Sequence, residues 1–272
     1  MRPYATEAEK RERREAIALL RETPPDHLLA AGAQATIEAF HRIVQDVPFY
    51  AEMFRHHAKV APEAITDIPA FTRHAPILDK RNTFGTHPIG ELCAGGALDG
   101  VRTILTSSGH SGVFSFGVNT AENLARSARS IDTGLEYVFG VDERSTLLIN
   151  ALPMGVKANT KAAVLAETSV RDDMVFALVK KFAHEFDQII IVAEGSFAKK
   201  IIEDGAEEHG IDWPSLPVHL ITGEEGIAEN YRTYMEGLIG RTAATGPRDK
   251  LVMSSMGVAE LDLTIFHEPP DT

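Results

Sequence analysis

The chain has 272 residues, of which 44 % are hydrophobic and 24 % are charged, as in an ordinary globular protein. Its formal net charge of −12 argues against a nucleic-acid partner, because phosphate backbones are bound mainly through clustered lysines and arginines. The single cysteine, Cys93, excludes an internal disulfide. Since no apolar run approaches about 18 residues and the charged N-terminus does not resemble a signal peptide, we expect a cytoplasmic protein with no membrane partner.

The first hundred residues predict helices separated by prolines. Apolar residues at helical spacing, such as Ile37, Phe40 and Val44, indicate one of them. A connection punctuated by Pro69 and Pro76 should then cross the surface and end in a short helix. The predicted helices cover Glu7–Glu22 and Ala33–Gln45, and a short turn is predicted near Phe49–His57. We interpret residues 1–100 as the helical N-terminal region of one large domain.

Beyond residue 100, short apolar runs rich in β-forming residues alternate with amphipathic helices. The predicted strands are "VRTIL", "STLLINAL", "QIIIVAEG", "PVHLITG" and "KLVMSS". The predicted helices are Asp172–Phe186, with Met174, Leu178 and Phe182 on one face, Phe197–His209 and Ile227–Ile239. Strands separated by helices of this length favour a mainly parallel sheet covered by helices. The predicted fold class is therefore α/β, with the sheet in residues 101–272.

The run "TSSGHSGVFSFG" after the first predicted strand is rich in hydroxyl groups and glycine. Gly109 and Gly112 allow backbone conformations that point N–H groups at an anion, which suits a triphosphate. The run is not a Walker A loop, which requires Lys followed by Ser or Thr, and it is not the GxGxxG dinucleotide fingerprint. Taken alone, such a loop is more often a turn or a lid than a nucleotide site. Its hydroxyl donors are Thr106, Ser107, Ser108 and Ser111.

Four loops that follow predicted strands are rich in small or acidic residues. They are "TSSGHSG", "LPMG", "TGEEG" and "SSMGVAE". In parallel sheets, ligands bind beyond the carboxyl ends of the strands, where such loops converge. We therefore expect all four loops to open onto one cleft.

Three of these segments resemble motifs of the adenylate-forming enzymes, in the same order. "TSSGHSGVF" resembles their phosphate loop, [ST][ST]SG[TS][TS]Gxx, with His110 where Thr is usual and with Phe114 and Ser115 in place of a following Pro-Lys. "VHLITGEEGIAENYRTYMEGLIG" is similar to the strand, Gly-Glu turn and helix that flank the family's adenine pocket. "SSMGVAEL" resembles its YGxTE motif.

Two sequence segments upstream of these motifs are similar to one branch of that family. "VQDVPFYAEMF" and "ITDIPAFTRHAPILDKRNTF" resemble the N-terminal region of phenylacetate–CoA ligases and acyl-protein synthetases. The resemblance covers most of the chain. It implies the large N-terminal domain of such an enzyme, in which residues 101–272 are the nucleotide-binding core.

The resemblance implies roles for individual residues in binding ATP and Mg²⁺. Glu260 matches the Glu that binds magnesium, and Gly223 and Glu224 match the turn against which adenine rests. His110 would donate to phosphate as a further catalytic group. The phosphate loop would be Thr106, Ser107, Ser108, Gly109, Ser111 and Gly112, and the residues at the Tyr, Gly and Thr positions of YGxTE are Met256, Gly257 and Ala259.

The resemblance also implies a pocket for the acyl group. Pro153, Met154 and Gly155 lie where the family lines this pocket, and the neighbouring Lys157 could meet a carboxylate. Simpler interpretations stay open for several of these residues. A surface histidine, a packing methionine, an exposed lysine and a plain strand-to-helix turn would have the same sequence.

The implied activity is ATP-dependent conversion of a carboxylic acid to an acyl-adenylate, followed by transfer to a thiol acceptor such as CoA or a carrier protein. The family's ribose-binding Asp and its later domain with a reactive Lys have no counterpart up to Thr272. Two expectations follow: the chain is an excised N-terminal domain, or it is a naturally shortened protein that binds nucleotide without completing the reaction. Exposed edges and loops would favour a homodimer in either case. The alternatives are a degenerate, non-catalytic nucleotide- or acyl-binding module, favoured by Met256 and Ala259, and a plain α/β protein with an incidental serine loop.

Overall fold

The computed structural model describes residues 5–107, 109, 112–153, 156–223, 226–258 and 262–269. The chain divides into two compact units. Residues Ala18–Ala121 form one, here named the helical unit. Residues Met1–Ile17 and Glu122–Thr272 form the other, named the sheet unit. No described helix combines the length and the apolar character that crossing a membrane requires.

Proline and capping residues set the helix starts of the N-terminal segment. Helix α2 begins at Pro25 and α3 at Pro48, where the missing amide N–H of proline would have no partner in any case. The Asp67 carboxylate accepts the Ala70 N–H at 2.7 Å and caps α4. The short helix of the proline-rich connection therefore lies at its start and not at its end, so that prediction was wrong. The helices are α1 Glu7–Glu22, α2 Pro25–Asp46, α3 Pro48–His57 and α4 Ile68–His74.

The helical unit has its own aromatic core and a β-hairpin. Phe40 packs edge-on against Phe54 and Phe71, with ring centroids 5.1 and 5.7 Å apart. The hairpin consists of β1 (Val101–Thr106) and β2 (Phe116–Thr120), which pair antiparallel as a two-stranded sheet. The sequence predicted "VRTIL" as a strand of the parallel sheet, and this is wrong, because β1 pairs with β2. Buried members of the core are Ile37, Phe40, Phe49, Tyr50, Phe54 and Ile65.

The sheet unit contains a six-stranded sheet in the order β4-β3-β5-β6-β7-β8. The first five strands in that order are parallel to one another, and β8 is antiparallel to β7. This confirms the predicted α/β class. The strands are β3 Thr146–Asn150, β4 Val164–Glu167, β5 Gln188–Glu194, β6 Val218–Gly223, β7 Val252–Val258 and β8 Asp262–His267. The helices of this unit are α5 Ala121–Phe139, α6 Asp172–Phe182, α7 Gly195–Glu207 and α8 Glu229–Leu238.

Alternation along the strands places apolar side chains on both faces of the sheet. In β5, Ile189 and Ile191 pack against α6, α7 and α8, whereas Ile190 packs with α5 residues such as Leu135. Burial of each such side chain stabilises the fold by about 1.5–3 kcal/mol. The sheet is therefore fixed from both sides along its centre.

Helix α6 buries a different face from the one predicted. Val175, Phe176 and Val179 are buried, whereas Met174 and Phe182 are 40 % and 39 % exposed. The sequence has two apolar stripes one position apart. The stripe with the β-branched valines contacts the sheet.

Candidate functional site

Three of the four predicted loops follow strands that end at the same edge of the sheet. Pro153 lies beyond β3, Gly223 ends β6, and Ser255 and Met256 lie in the last part of β7. A Cβ atom placed on Gly223 would lie 3.8 Å from Leu152 Cδ2 and 3.9 Å from the Ser255 carbonyl oxygen. The structure therefore brings together Leu152, Gly223 and Ser255, one described residue from each of the "LPMG", "TGEEG" and "SSMGVAE" segments.

Gly223 leaves a small space between its neighbours. Its φ is not in the left-handed region, and a Cβ there would make only ordinary van der Waals contacts. Glycine is therefore not required at this position by backbone strain or by packing of the protein. Gly223 is buried, and a side chain here would fill the small space between Leu152 and Ser255.

Asn150 holds the turn after β3 and was not predicted from the sequence. Its buried side chain donates from Nδ2 to the Val156 carbonyl at 2.6 Å and to the Glu167 carboxylate at 2.8 Å. Its Oδ1 accepts the Leu152 N–H at 3.3 Å. These bonds fix both ends of the segment that contains Pro153. The signal in the sequence is an amide residue at the end of an otherwise apolar strand.

The serine-glycine loop belongs to the helical unit, where it connects β1 to β2. Ser107 N–H donates to the Ser115 carbonyl at 3.0 Å, and Ser115 N–H donates to Ser107 Oγ at 2.9 Å. Within the loop, Gly112 N–H donates to the Gly109 carbonyl at 2.9 Å. Thr106 is the last residue of β1, so these bonds close the loop at its base.

Both glycines of this loop have the backbone conformation that favours glycine. Their φ angles are +70° for Gly109 and +81° for Gly112. The Phe114 ring lies against Gly109, where a Cβ atom would be only 2.6 Å from the ring. An aromatic side chain thus contacts the loop backbone at the position where the family usually has proline.

Ser115 is fully buried, and its hydroxyl has no hydrogen-bond partner among the described residues. A buried polar group left unpaired costs about 1–3 kcal/mol. Such groups are uncommon in native structures and often mark a functional position. Ser115 follows the loop directly and replaces the lysine of the family pattern.

Several predicted site residues lie outside the described residues. These are Ser108, His110, Ser111, Met154, Gly155, Glu224, Ala259 and Glu260. Among the described ones, Lys157 is exposed, Met256 is 56 % exposed and Gly257 is partly buried. In the described ranges, no three acidic, histidine or cysteine side chains lie together as a metal site.

Strand β7 changes partner beside Gly223. It pairs with β6 up to Ser254, opposite Thr222, and with β8 from Ser255, opposite His267. Met256 and Gly257 therefore lie on a two-stranded ribbon that continues beyond the pairing with β6. In sequence, Glu260 lies between the two strands of this ribbon.

The opposite, amino edge of the sheet is held by dense polar contacts. Arg144 pairs with Asp249 at 2.7 Å, and the Asp187 carboxylate accepts both the N–H and the hydroxyl of Ser145 at 2.8 Å. Lys250 Nζ donates to the carbonyls of residues in the segments around Pro214 and Ile239. Those acceptors are Pro214 at 2.8 Å, Leu216 at 2.9 Å, Ile239 at 2.8 Å and Trp213 at 3.3 Å.

Burial also shifts pKa values at this edge. It lowers the pKa of His219 to about 3, and the imidazole is neutral, with Nδ1 accepting the Leu251 N–H at 3.2 Å. Burial likewise lowers the pKa of Lys250. His219 is buried and Lys250 is partly buried, and both make bonds within the fold.

No family model matches this sequence, and no curated protein matches it. Solved structures match it in fold. A 2-hydroxyisobutyryl-CoA ligase, in complex with 2-HIB-AMP and CoA in the thioesterification state, matches with a TM-score of 0.66 and 12 % identity, over 87 % of this chain and 50 % of that one. This chain shares its fold with an acyl-CoA ligase.

The same ligase matches in a second state. Its open conformation, in complex with 2-HIB-AMP and CoA, gives a TM-score of 0.65 and 13 % identity, over 86 % of this chain and 55 % of that one. The chain thus spans about half the length of the solved structures it matches. At this identity the comparison shows the fold, a parallel sheet flanked by helices, as in the N-terminal domain of adenylate-forming enzymes.

Proposed function

We propose that this chain binds ATP and contributes to the activation of a carboxylic acid as an acyl-adenylate, with later transfer to a thiol such as CoA. The observation that carries the proposal is the convergence of Leu152, Gly223 and Ser255 at the carboxyl edge of the parallel sheet. This edge is where sheets of this kind bind ligands. The fold shared with an acyl-CoA ligase supports the same assignment.

The proposed reaction begins with attack of a carboxylate oxygen on the α-phosphorus of ATP. The bond from that phosphorus to the bridging oxygen breaks, and pyrophosphate leaves with the electron pair. The thiol sulfur, as a thiolate, then attacks the acyl carbon, and AMP leaves. Neither step needs a nucleophile from the protein, so the protein acts by orienting the reactants and stabilising the developing charge.

Different residues are proposed to contact the magnesium, the phosphates and the adenine. Magnesium enters as part of the substrate, magnesium·ATP, and Glu260 supplies one carboxylate oxygen to it, as a hard cation with phosphate and water ligands allows. The serine-glycine loop, residues 106–112, contacts the phosphates through N–H and hydroxyl groups, with His110 as an additional donor. Gly223 and Glu224 border the adenine.

The acyl group is assigned to the turn after β3. Pro153, Met154 and Gly155 would contact its apolar part, and Asn150 holds this turn in place through its bonds to Leu152 and Val156. We propose that the chain is most similar to the phenylacetate–CoA ligase branch, because its N-terminal sequence segments resemble that branch. The proposed substrates are a small carboxylic acid and the thiol of CoA or of a carrier protein.

A second candidate is a nucleotide- or acyl-binding module without catalysis. Met256 and Ala259 replace the Tyr and Thr of the family pattern, and Met256 is 56 % exposed on the ribbon. Loss of a hydroxyl that bonds a charged phosphate removes about 1.5–3 kcal/mol. Such a loss would slow the reaction by one to two orders of magnitude if it acted only in the transition state, by about tenfold per 1.36 kcal/mol.

The test is ATP–pyrophosphate exchange with a panel of carboxylic acids. We expect exchange with the wild-type chain, loss of exchange by at least 100-fold in Glu260→Ala, and unchanged exchange in Glu208→Ala, which removes an exposed glutamate of the sheet unit. Binding of magnesium·ATP without exchange supports the non-catalytic module. Absence of any nucleotide binding by the wild-type chain contradicts the ligase proposal and leaves only a module that binds an acyl group.

A further inference from the structure

Among the residues that the structure describes, no strand of the parallel sheet pairs with the ribbon that carries Met256 and Gly257. Pairing with β6 ends at Ser254, and the ribbon consists of residues 255–258 and 262–267. Two antiparallel strands alone are marginally stable in water. The direction of the ribbon therefore depends on the contacts at its base.

Glu268 makes those contacts, immediately after β8. Its carboxylate accepts two N–H groups of Arg232, Oε2 from one terminal nitrogen and Oε1 from the other, both at 2.9 Å. Oε2 also accepts the Ser254 N–H at 3.0 Å, and the Glu268 N–H donates to the Ser254 carbonyl at 3.2 Å. Arg232 further donates to the Val252 carbonyl. The pair thus joins both strands of the ribbon to α8.

This ion pair is shielded from water and has fork-to-fork geometry. The Arg232 and Glu268 side chains are 15 % and 24 % exposed. Burial acts to lower the pKa of Arg232, but the hydrogen bonds that Arg232 donates to Glu268 and Glu229 outweigh burial and raise the pKa, so the guanidinium stays charged. Bidentate pairs of this kind fix direction as well as distance.

On the α5 side, Met253 of β7 packs in one buried cluster with Leu135, Val138 and Phe139. An open cavity adjoins Glu268 there and is lined by residues such as Gly134, Val138 and Ser255. The ribbon base is thus held on the α8 side by Arg232 and borders a small cavity next to Met253 on the α5 side. Loss of the ion pair would remove the contacts that join the ribbon to α8.

The pair also connects two segments of the proposed ATP site. Helix α8 begins at Glu229, six residues after Gly223, and Arg232 lies in its first turn. The ribbon carries Met256 and Gly257, and Glu260 is in the connection between its strands. The segment assigned to adenine and the segment assigned to magnesium are therefore linked through Arg232 and Glu268.

We propose that Arg232 and Glu268 are a positioning pair that sets the affinity of the site for magnesium·ATP by fixing the ribbon relative to α8. The proposal rests on the proposed function of the site. Neither side chain needs to touch the nucleotide. The pair acts on Glu260 through the direction of the ribbon.

The same strand offers a matched control at its other end. Asp249, three residues before β7, pairs with Arg144 at 2.7 Å, with side chains 47 % and 36 % exposed. This pair links β7 to the start of β3 at the amino edge. Breaking it tests the effect of losing an ion pair on β7 without a change at the ribbon.

The experiment compares Glu268→Gln, Glu268→Asp and Arg232→Lys with Asp249→Asn in the full chain. Calorimetric titration gives the Kd of magnesium·ATP, and pyrophosphate exchange gives kcat and KM. We expect Glu268→Gln to raise the Kd and the KM for magnesium·ATP by tenfold or more, and Arg232→Lys to raise them by a smaller factor. Asp249→Asn should change the Kd and the KM for magnesium·ATP by less than twofold, even if it lowers the melting temperature as much as Glu268→Gln does.

Hydrogen exchange provides a readout that does not depend on catalysis. In Glu268→Gln, amides of residues 255–258 should exchange faster while those of β5 stay protected. If Glu268→Gln does not fold, the milder Glu268→Asp and Arg232→Lys variants carry the test. Equal effects of the Glu268 and Asp249 variants on Kd, or unchanged ribbon exchange, would overturn the positioning role. If the wild-type chain does not bind magnesium·ATP, the proposed function itself fails.

Discussion

The two edges of the parallel sheet are built from different kinds of residue. At the amino edge, charged groups such as Arg144, Asp187 and Lys250 bond to neighbouring side chains and carbonyls. At the carboxyl edge, the buried Gly223 has no side chain, and Leu152 and Ser255 lie next to its backbone. Charged groups hold the connections together at the first edge, whereas segments of the proposed ligand site meet at the second. Under the proposed function, stability and ligand binding are divided between opposite ends of the same strands.

The largest expected effect is at Lys250. Replacing it by methionine removes the ammonium group that bonds the carbonyls of Pro214, Leu216 and Ile239 and leaves these oxygens without that donor. We expect the free energy of unfolding to fall by about 3 kcal/mol, since each bond to a charged group contributes about 1.5–3 kcal/mol and relaxation recovers part. Urea denaturation of the wild-type chain and of Lys250→Met measures this decrease in the free energy of unfolding.

The same variant also tests whether the two edges are independent. The Kd for magnesium·ATP, measured on the folded fraction, should change by less than twofold in Lys250→Met. A large loss of affinity with little loss of stability would break the division between the edges.

The next effect is a dependence of stability on pH, due to His219. Its pKa is about 3 in the fold, against an ordinary value of about 6.5, so between these values the unfolded chain binds more protons than the folded one. Stability is therefore present above about pH 6.5 and falls as pH falls. The slope approaches about 1.4 kcal/mol per pH unit, or about 2 kcal/mol from pH 6.5 to 5.

Urea denaturation from pH 7 to 5 checks this slope. In His219→Gln, which keeps an acceptor for the Leu251 N–H, the slope should decrease by the part that the titration of His219 contributes. In His184→Gln, which removes an exposed histidine, the slope should remain. A wild-type slope that survives in His219→Gln would show that another group titrates.

The smallest effect on stability is expected at the carboxyl edge, in Gly223→Ala. The new Cβ would contact Leu152 and Ser255 at 3.8–4.0 Å, so the free energy of unfolding should change by no more than about 0.5 kcal/mol, as for substitutions that create no clash or cavity. The methyl group would occupy the space beside β6, and the KM for ATP should rise about fivefold, equivalent to about 1 kcal/mol.

Gly226 is the matched control for this substitution. A Cβ there meets nothing within 4 Å, and the residue lies in the same connection. Gly226→Ala should leave the KM for ATP unchanged. Equal effects of the two substitutions would place the ligand away from Gly223.

The parallel sheet could be predicted from the sequence because its central strands are continuous apolar runs between helices. The residues of β3 are all buried, as in a strand covered on both faces. In β1 the residues alternate between partly buried and exposed, which is typical of an antiparallel pair with one face in water. The residues themselves, Val-Arg-Thr-Ile-Leu-Thr, do not alternate between apolar and polar, so the sequence carried no such signal that "VRTIL" lies outside the parallel sheet.

Other features depended on information that is not local in the sequence. Helix α5 has apolar residues at helical spacing, such as Ile131, Leu135 and Val138, but intervening small and polar residues weaken the pattern. The bond between Arg232 and Glu268 joins residues 36 positions apart. Motifs were enough to predict the segments of the candidate site. The residues that hold these segments in place, such as Asn150, could be found only from contacts in the three-dimensional structure.

The contact between Phe114 and Gly109 has a spectroscopic consequence. One α-proton of Gly109 points toward the aromatic ring, where a Cβ atom would lie 2.6 Å from it. The ring current should shift the resonance of that proton strongly from its usual position. Any event that separates the ring from the loop would move the resonance back. The chemical shift of this proton therefore reports whether the Phe114 ring contacts the serine-glycine loop.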